Sequence, residues 1–444
     1  MIWLPLFNLR PRVQTVCPAV ERSSRVRRVP LTRFMSLDGV TANMTEHPTD
    51  LNEFRQEVAA WMRDNAPDPG HLILPDSFME VGTDPQFEFL RDWQNTVYNA
   101  GYLGMSWPKE YGGGGLAQAY QDIATQEMVR ADVPFMTNTI GLNWAGPLIL
   151  HMGTEANKRD YIKGILSADD IWCQGFSEPD QGSDLANAQT RAVRDGDEWV
   201  LNGSKIWTSL GTYAKYMILL ARTDPEADNK YAGLSYFLIP MDVPGIETQP
   251  IKKLTGEYGF TQTFFRDARV PASCLMGEEG QGWQIAMTTL TFERGVTGGQ
   301  AGGTASFNIE GKDVVDMARH AQRDGRPAIE DPLTRDELVK FLIEERSNRL
   351  IGARARHRAL TSERPQSIAL SGKLRGTEWK RRLCQFALSL QGANGALYMG
   401  EPRAIDGGRW QRTYFNSFSA TIGGGTSQIQ ANIVGERVLG LPKG

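Results

Sequence analysis

Asp195-Gly196-Asp197-Glu198-Trp199-Val200-Leu201-Asn202-Gly203 sets two turn dipeptides around a short strand-like run. Asp-Gly and Asn-Gly suit the positive φ angles of tight hairpin turns, so the stretch reads as turn, strand, turn. Further apolar runs follow it: Tyr216 to Leu220, then Leu234 to Ile239 closed by Pro240. Val243-Pro244-Gly245-Ile246 and Phe264 to Val270 continue the series. Short strands rich in β-branched and aromatic residues at this spacing predict a β-barrel or sandwich over residues 171–281.

Outward from that region the period changes. Upstream, Leu51, Phe54, Val58, Trp61 and Met62 recur at helical spacing after Asp50 and Glu53, which resemble a capping box. Amphipathic stretches near 87–100, 116–130 and 154–166 extend the helical reading, with a loop at 107–115. Downstream, from Trp283 on, the pattern is again helical, and a last helix near 427–439 stops at Gly440 with Pro442 beyond. The expected class is α+β multi-domain: a helical domain over 45–170, the β domain over 171–281 and a helical bundle over 282–444. Residues 1–44 stand apart. The first 34 hold seven arginines, no lysine and one acid. They read as an upstream start before Met35 or Met44, or as a mitochondrial transit segment.

Of 444 residues, 41% are hydrophobic and 23% charged, with a formal charge of −4. That balance speaks against a nucleic-acid partner. No apolar run is long enough for membrane insertion. Cys17, Cys173, Cys274 and Cys384 form no CxxC pair, and the five histidines are scattered. This argues against a metal site and for a reducing, cytoplasmic setting, or the matrix if residues 1–34 are a transit peptide.

Three stretches carry chemistry, and one is a decoy. Gly112-Gly113-Gly114-Gly115-Leu116-Ala117 fits GxGxxA. The dinucleotide fingerprint requires a preceding buried strand, which Trp107-Pro108-Lys109-Glu110-Tyr111 cannot form. In contrast, Gln174-Gly175-Phe176-Ser177-Glu178-Pro179-Asp180-Gln181-Gly182-Ser183-Asp184 can aim hydroxyls and backbone N–H groups at a ligand. Gly203-Ser204-Lys205-Ile206-Trp207-Thr208-Ser209 sets an aromatic two residues from a hydroxyl, on one side of a strand. That pairing suits a flat heteroaromatic cofactor.

Ser177-Glu178-Pro179…Gly182-Ser183-Asp184, then Lys205-Ile206-Trp207-Thr208-Ser209, then Gly424-Gly425-Thr426-Ser427-Gln428-Ile429-Gln430, together with Trp107 to Gly113, resemble the acyl-CoA dehydrogenase family. The matches run in order from about 50 to 442. The resemblance implies a bound FAD, held by Gln174, Phe176, Ser177, Trp207, Thr208 and Ser209 beside the flavin ring. It implies Thr426, Ser427 and Gln428 at the FAD phosphate or ribose. Gly392 and Ala393, in Gly392-Ala393-Asn394-Gly395, stand where the family approaches the pyrophosphate from a neighbouring subunit. Ser183, Arg294, Gly424 and Gly425 stand on the acyl-CoA side. Two departures are visible: Ser389 replaces the usual Gln, and no adenine-binding Arg-x-x-Phe appears near Arg319 to Pro327.

The family reaction needs a carboxylate to take the α-proton of an acyl thioester. Most members place a Glu just before the Gly-Thr-Ser sequence, where this chain has Gly424. A subgroup resembling isovaleryl-CoA and long-chain dehydrogenases keeps the base in an earlier helix, just before an Arg. Glu293-Arg294 fits that pattern. Ile285, Ala286, Thr289 and Leu290 lie on the helical stripe leading to Glu293, which is therefore not a solvated face. The resemblance thus implies α,β-dehydrogenation of an acyl-CoA with Glu293 as catalytic base. It also implies an electron-transfer flavoprotein as acceptor and a homo- or hetero-oligomer. A non-catalytic flavoprotein subunit and an acyl-CoA oxidase stay open. The glycines at 423–425 predict room for bulky acyl groups such as steroid side chains.

Overall fold

A computed structural model describes residues 47–75, 77–293, 309–356 and 366–442. The Arg-rich N-terminal segment and Arg294 lie outside the described residues. Helix α1 (Leu51–Asn65) begins where Asp50 Oδ1 accepts from the backbone N–H groups of Asn52 and Glu53 at 2.8 and 3.0 Å. Its spacing then buries Phe54, Val58 and Met62 on one face. Each such burial is worth about 1.5–3 kcal/mol. Helices α2 (Asp84–Asn99), α3 (Gln118–Arg130), α4 (Gly146–Met152) and α5 (Glu155–Ser167) complete the N-terminal helical region. A π-helical turn, Gly141–Ala145, leads into α4. Among the described residues no strand precedes Gly112, so the glycine run is a loop and not a dinucleotide site.

The middle of the chain contributes β1 (Trp172–Gly175), β2 (Arg191–Asp195), β3 (Glu198–Ser209), β4 (Tyr216–Arg222), β5 (Leu234–Pro240), β6 (Ile246–Ile251), β7 (Phe260–Pro271) and β8 (Leu275–Met276). They form one sheet in the order β6-β7-β3-β2-β4-β5-β8, with β1 pairing parallel to β4. The path is open, not closed into a barrel. The run at Val243-Pro244-Gly245 is a turn that leads into β6 at Ile246.

Only one of the two turn dipeptides makes a turn. Asp195 pairs with Glu198, so the hairpin closes at Gly196-Asp197. Asn202-Gly203 instead lies inside β3. The partner strand supplies the reason. The register between β3 and β7 shifts between Leu201 and Gly203. At that irregularity Asn202 Oδ1 accepts from Asp267 N at 3.0 Å, and Asn202 Nδ2 donates to Asp267 Oδ1 at 3.0 Å. Gly203 has φ 139°, and a Cβ there would stand 2.8 Å from Thr190 Cα. A side chain is excluded by close packing, so glycine serves the sheet and not a turn.

The chain then returns to helices: α6 (Gly282–Glu293), α7 (Gly311–His320), α8 (Pro332–Arg356), α9 (Gln366–Leu390), α10 (Arg409–Ala420) and α11 (Ser427–Ile433). The α-helix expected to run to about 439 changes to a π-helical turn over Val434–Val438. Helix α6 packs on β4, β5 and α4, and joins the N-terminal core through Ile285 and Ala286. Helices α7 to α10 close a separate core around Trp379, Leu383, Cys384 and Trp410. No described helix is long and apolar enough to cross a membrane.

Candidate active site

The loop after β1 is fastened to β3 by backbone and by charge. Ile206 N donates to Ser177 O at 2.8 Å, and Lys205 Nζ donates to Phe176 O at 3.0 Å. Lys205 also pairs with Glu178 Oε1 at 2.8 Å, both side chains being almost wholly buried. Glu178 then accepts from Gln189 N at 2.6 Å and Thr190 N at 2.8 Å. Burial alone would raise the Glu178 carboxyl, but the Lys205 ammonium and the two N–H donors overcome it and hold it below the usual range. Phe176 is buried, its ring edge-on to Tyr236 at 5.9 Å. The two motif segments read from sequence are therefore one structural unit.

Strand alternation fails where the aromatic sits. The register shifts between Lys205 and Thr208, and Trp207 has φ 62°. The bulge turns Trp207 outward, 55% exposed, while the consecutive residues Thr208 and Ser209 are both buried. The expectation that Trp207 and Ser209 share a face by simple two-residue repeat is thus corrected: one extra residue resets the phase. Trp207 leans edge-on against Phe260 at 5.9 Å, leaving an aromatic face available. Two buried atoms nearby in the sequence motifs, Thr208 Oγ1 and Gln174 Nε2, have no protein hydrogen-bond partner. Ser183 is exposed, next to Asp184, which pairs with Lys230 at 2.7 Å.

A second group gathers at the end of α6. Ile285, Ala286 and Thr289 are buried, and Thr289 Oγ1 lies 3.0 Å from the Tyr236 hydroxyl. Glu293, one turn on, is partly buried. Facing it is the glycine loop between α10 and α11. Gly424 has φ +64°, and a Cβ placed there would stand 3.1 Å from Glu293 Oε1 and 3.4 Å from Lys373 Cε. Lys373, on α9, donates to Gly425 O at 2.7 Å and Ala420 O at 3.1 Å. Thr426 caps α11, its hydroxyl accepting from Ile429 N at 3.2 Å. Ser427 Oγ is engaged by Glu378 Oε1 at 2.6 Å, while Gln428 is exposed. Gly392 and Ala393 lie on an exposed 3-10 turn.

Strand pairing thus unites Phe176, Ser177, Trp207, Thr208 and Ser209, and loop packing unites Glu293 with Gly424 and Gly425. The structure adds three residues not singled out from sequence, Glu178, Lys205 and Lys373. Glu178 stands within a quoted motif, but its partner is 27 residues away. Lys373 stands in a helix with no local motif. Among the described residues no group of three His, Cys, Asp or Glu side chains could hold a metal.

Family models for the acyl-CoA dehydrogenase N-terminal, middle and C-terminal domains match residues 49–169, 173–268 and 280–439. The acyl-CoA dehydrogenase IpdE1 of Mycobacterium tuberculosis is 38% identical over 397 residues, covering 89% of this chain and 98% of that protein. The human mitochondrial short-chain specific acyl-CoA dehydrogenase is 31% identical over 348 residues, covering 76% and 80%. Among solved structures, the Tcur3481-Tcur3483 steroid ACAD superposes with a TM-score of 0.71 at 30% identity, covering 90% of this chain and 100% of that one. The ChsE4-ChsE5 complex from Mycobacterium tuberculosis follows with a TM-score of 0.69 at 27% identity, covering 90% and 100%. With all three domain models matched in order, this chain belongs to the acyl-CoA dehydrogenase family and is an oxidoreductase.

Proposed function

We propose that the protein removes the α- and β-hydrogens of a bulky acyl-CoA thioester, with Glu293 as the base. The observation that carries this reading is the contact between Glu293 Oε1 and the vacant side-chain position of Gly424, at 3.1 Å. The carboxylate that the glycine loop lacks is supplied to the same place from α6. Glu293 takes the α-proton, and the β-hydrogen leaves with its electron pair, so the product is the trans-2-enoyl thioester.

The residues present fit FAD. Thr208 Oγ1 and Gln174 Nε2 are buried polar atoms without a protein partner. Leaving each so costs about 1–3 kcal/mol, which a ligand with ring nitrogens and carbonyls would relieve. Phe176, Ser177, Trp207, Thr208 and Ser209 would hold the ring, and Thr426 and Gln428 the phosphate or ribose; Ser427, expected beside them, already gives its backbone N–H to Thr421 O and its hydroxyl to Glu378. When bound, FAD supplies the hydride acceptor. The side chains of this chain do the rest: Lys205 and Glu178 fix the loop, and Glu293 holds the proton. Ser183 and Arg294 are assigned to the CoA thioester.

The preference for a bulky, steroid-like acyl group is supported by likeness to the steroid ACAD at 30% identity; the glycine run adds no room of its own, since Glu293, Lys373 and Gln430 fill the positions beside Gly424 and Gly425. A second chain approaching Gly392 and Ala393 would complete the FAD site, and an electron-transfer flavoprotein is the proposed acceptor.

Anaerobic flavin bleaching over a panel of acyl-CoAs tests the reading. Glu293→Gln should keep yellow FAD and bind substrate, yet bleach about 10²–10⁴-fold more slowly. Bleaching at the wild-type rate would remove Glu293 as base. Fastest turnover on butyryl-CoA would remove the bulky-substrate assignment.

A further inference from the structure

We propose that Lys373 is a positioning residue for this site: it holds the glycine loop by two carbonyl groups and borders the same vacant position that Glu293 faces. The inference rests on the assignment of Glu293 as base. Lys373 is on α9, far from any motif, and its ammonium donates to Gly425 O at 2.7 Å and Ala420 O at 3.1 Å. Those two carbonyls belong to the two ends of the loop that carries Gly424. One cation therefore pins both sides of the turn. Its Cε is 3.4 Å from the point where a Gly424 Cβ would stand, and Glu293 Oε1 is 3.1 Å from that same point. The side chains of Lys373 and Glu293 thus border one point, and a cation brought beside a carboxylate favours its ionised form. In the ionised form the base is ready to accept a proton. The lysine thus serves the reaction through Glu293 and does not itself take part in bond making.

Other charged or titratable groups on the elements packed against α6 are differently placed. Tyr236 on β5 meets Thr289, one turn before Glu293. His151 on α4 meets the Phe292 ring at 6.4 Å. On β4, Arg222 donates to Ala186 O and Ala188 O, and the Tyr216 ring lies tilted against Trp172. Among the described residues, Lys373 is the cation that borders the Gly424 position with Glu293.

The test is the pH dependence of anaerobic flavin bleaching in FAD-loaded Lys373→Gln, Lys373→Met and Lys373→Arg. Ionised Glu293 is the active form, so the rate rises with pH through its acidic limb. Removing the positive charge should move that limb upward by about one pH unit, with most of the rate recovered above it. Lys373→Arg should leave the limb in place. A neutral variant that lowers the rate at every pH without moving the limb would overturn the inference and leave Lys373 a structural strut. Loss of FAD in both neutral variants, with an unaltered Lys373→Arg, would overturn it in the same way. Glu293→Gln, run alongside, separates the two readings. If that variant bleaches normally, the base assignment itself falls. If it is inactive while the limb in Lys373→Gln is unmoved, only the part given to the lysine falls.

Discussion

Lys205 Nζ lies 2.8 Å from Glu178 Oε1, and neither side chain reaches solvent to any useful extent. This pair joins the loop after β1 to the centre of β3, one residue before the bulge that turns Trp207 outward. Breaking a buried pair from one side leaves an uncompensated charge, at a cost of roughly 3–5 kcal/mol. Glu178→Gln and Lys205→Met should each lower Tm markedly and release FAD, although neither residue is assigned to FAD. The double variant should recover part of the stability. Additive losses in the double variant, read by thermal unfolding, would show that the two charges do not act as a pair.

The same pair sets an acid dependence. The Glu178 carboxyl is held below its ordinary range, so its contribution is full above the unfolded value of about 4 and is lost as pH falls through the lower folded value. Wild-type stability should therefore drop more steeply below about pH 4 than that of Glu178→Gln. Thermal unfolding across that range gives the comparison, and parallel slopes would count against the shift.

Thr208 offers a change whose sign differs with the ligand. Its hydroxyl is buried and unpartnered within the protein. Thr208→Val should raise the stability of FAD-free protein by up to about 1 kcal/mol while weakening FAD binding several-fold. Equal effects on the free and loaded forms would separate Thr208 from the cofactor.

Gly424 tests where a carboxylate can stand. At φ +64° any side chain is strained by about 1–2 kcal/mol. Gly424→Glu alone should crowd a second carboxylate against Glu293 and move the acidic limb of the rate upward, since like charges disfavour ionisation. With Glu293→Gly added, part of the bleaching rate should return, in a protein less stable than the wild type. No recovery above the Glu293→Gly background would mean that the loop cannot present a base.

Arg412 holds the C-terminal helices to the β region. It is buried on α10, with Nη2 2.5 Å from Glu257 Oε1 and Nη1 3.4 Å from Leu74 O. Arg412→Met should cost about 3 kcal/mol and expose the 252–258 loop to proteolysis. Protease resistance equal to that of the wild type would show that α10 docks without the arginine.

Much of this architecture is local and so was legible in the chain. Helical spacing at Phe54, Val58 and Met62, the Asp50 cap and the Asp-Gly hairpin need only near neighbours in sequence. The order of helical, β and helical regions follows from that periodicity. The segments around Ser177 and Trp207 carry only a weak signal by themselves, and it is the resemblance to the acyl-CoA dehydrogenase family that singles them out. Glu293 is singled out by the family resemblance, and the apolar stripe that leads to it only agrees with that assignment. What the sequence could not decide depends on residues far apart in the chain. Asn202-Gly203 looked like a turn because the β7 irregularity that absorbs it lies some sixty residues on. The phase of Trp207 relative to Ser209 depends on a bulge set by pairing with β7. Burial of Lys205 opposite Glu178 gives no local hydrophobic signal, since each residue alone reads as solvated. Lys373 and Gly424 meet only because α9 packs beside the loop between α10 and α11. Local propensity determined the elements of this protein; strand register and helix packing decided which side chains share a site.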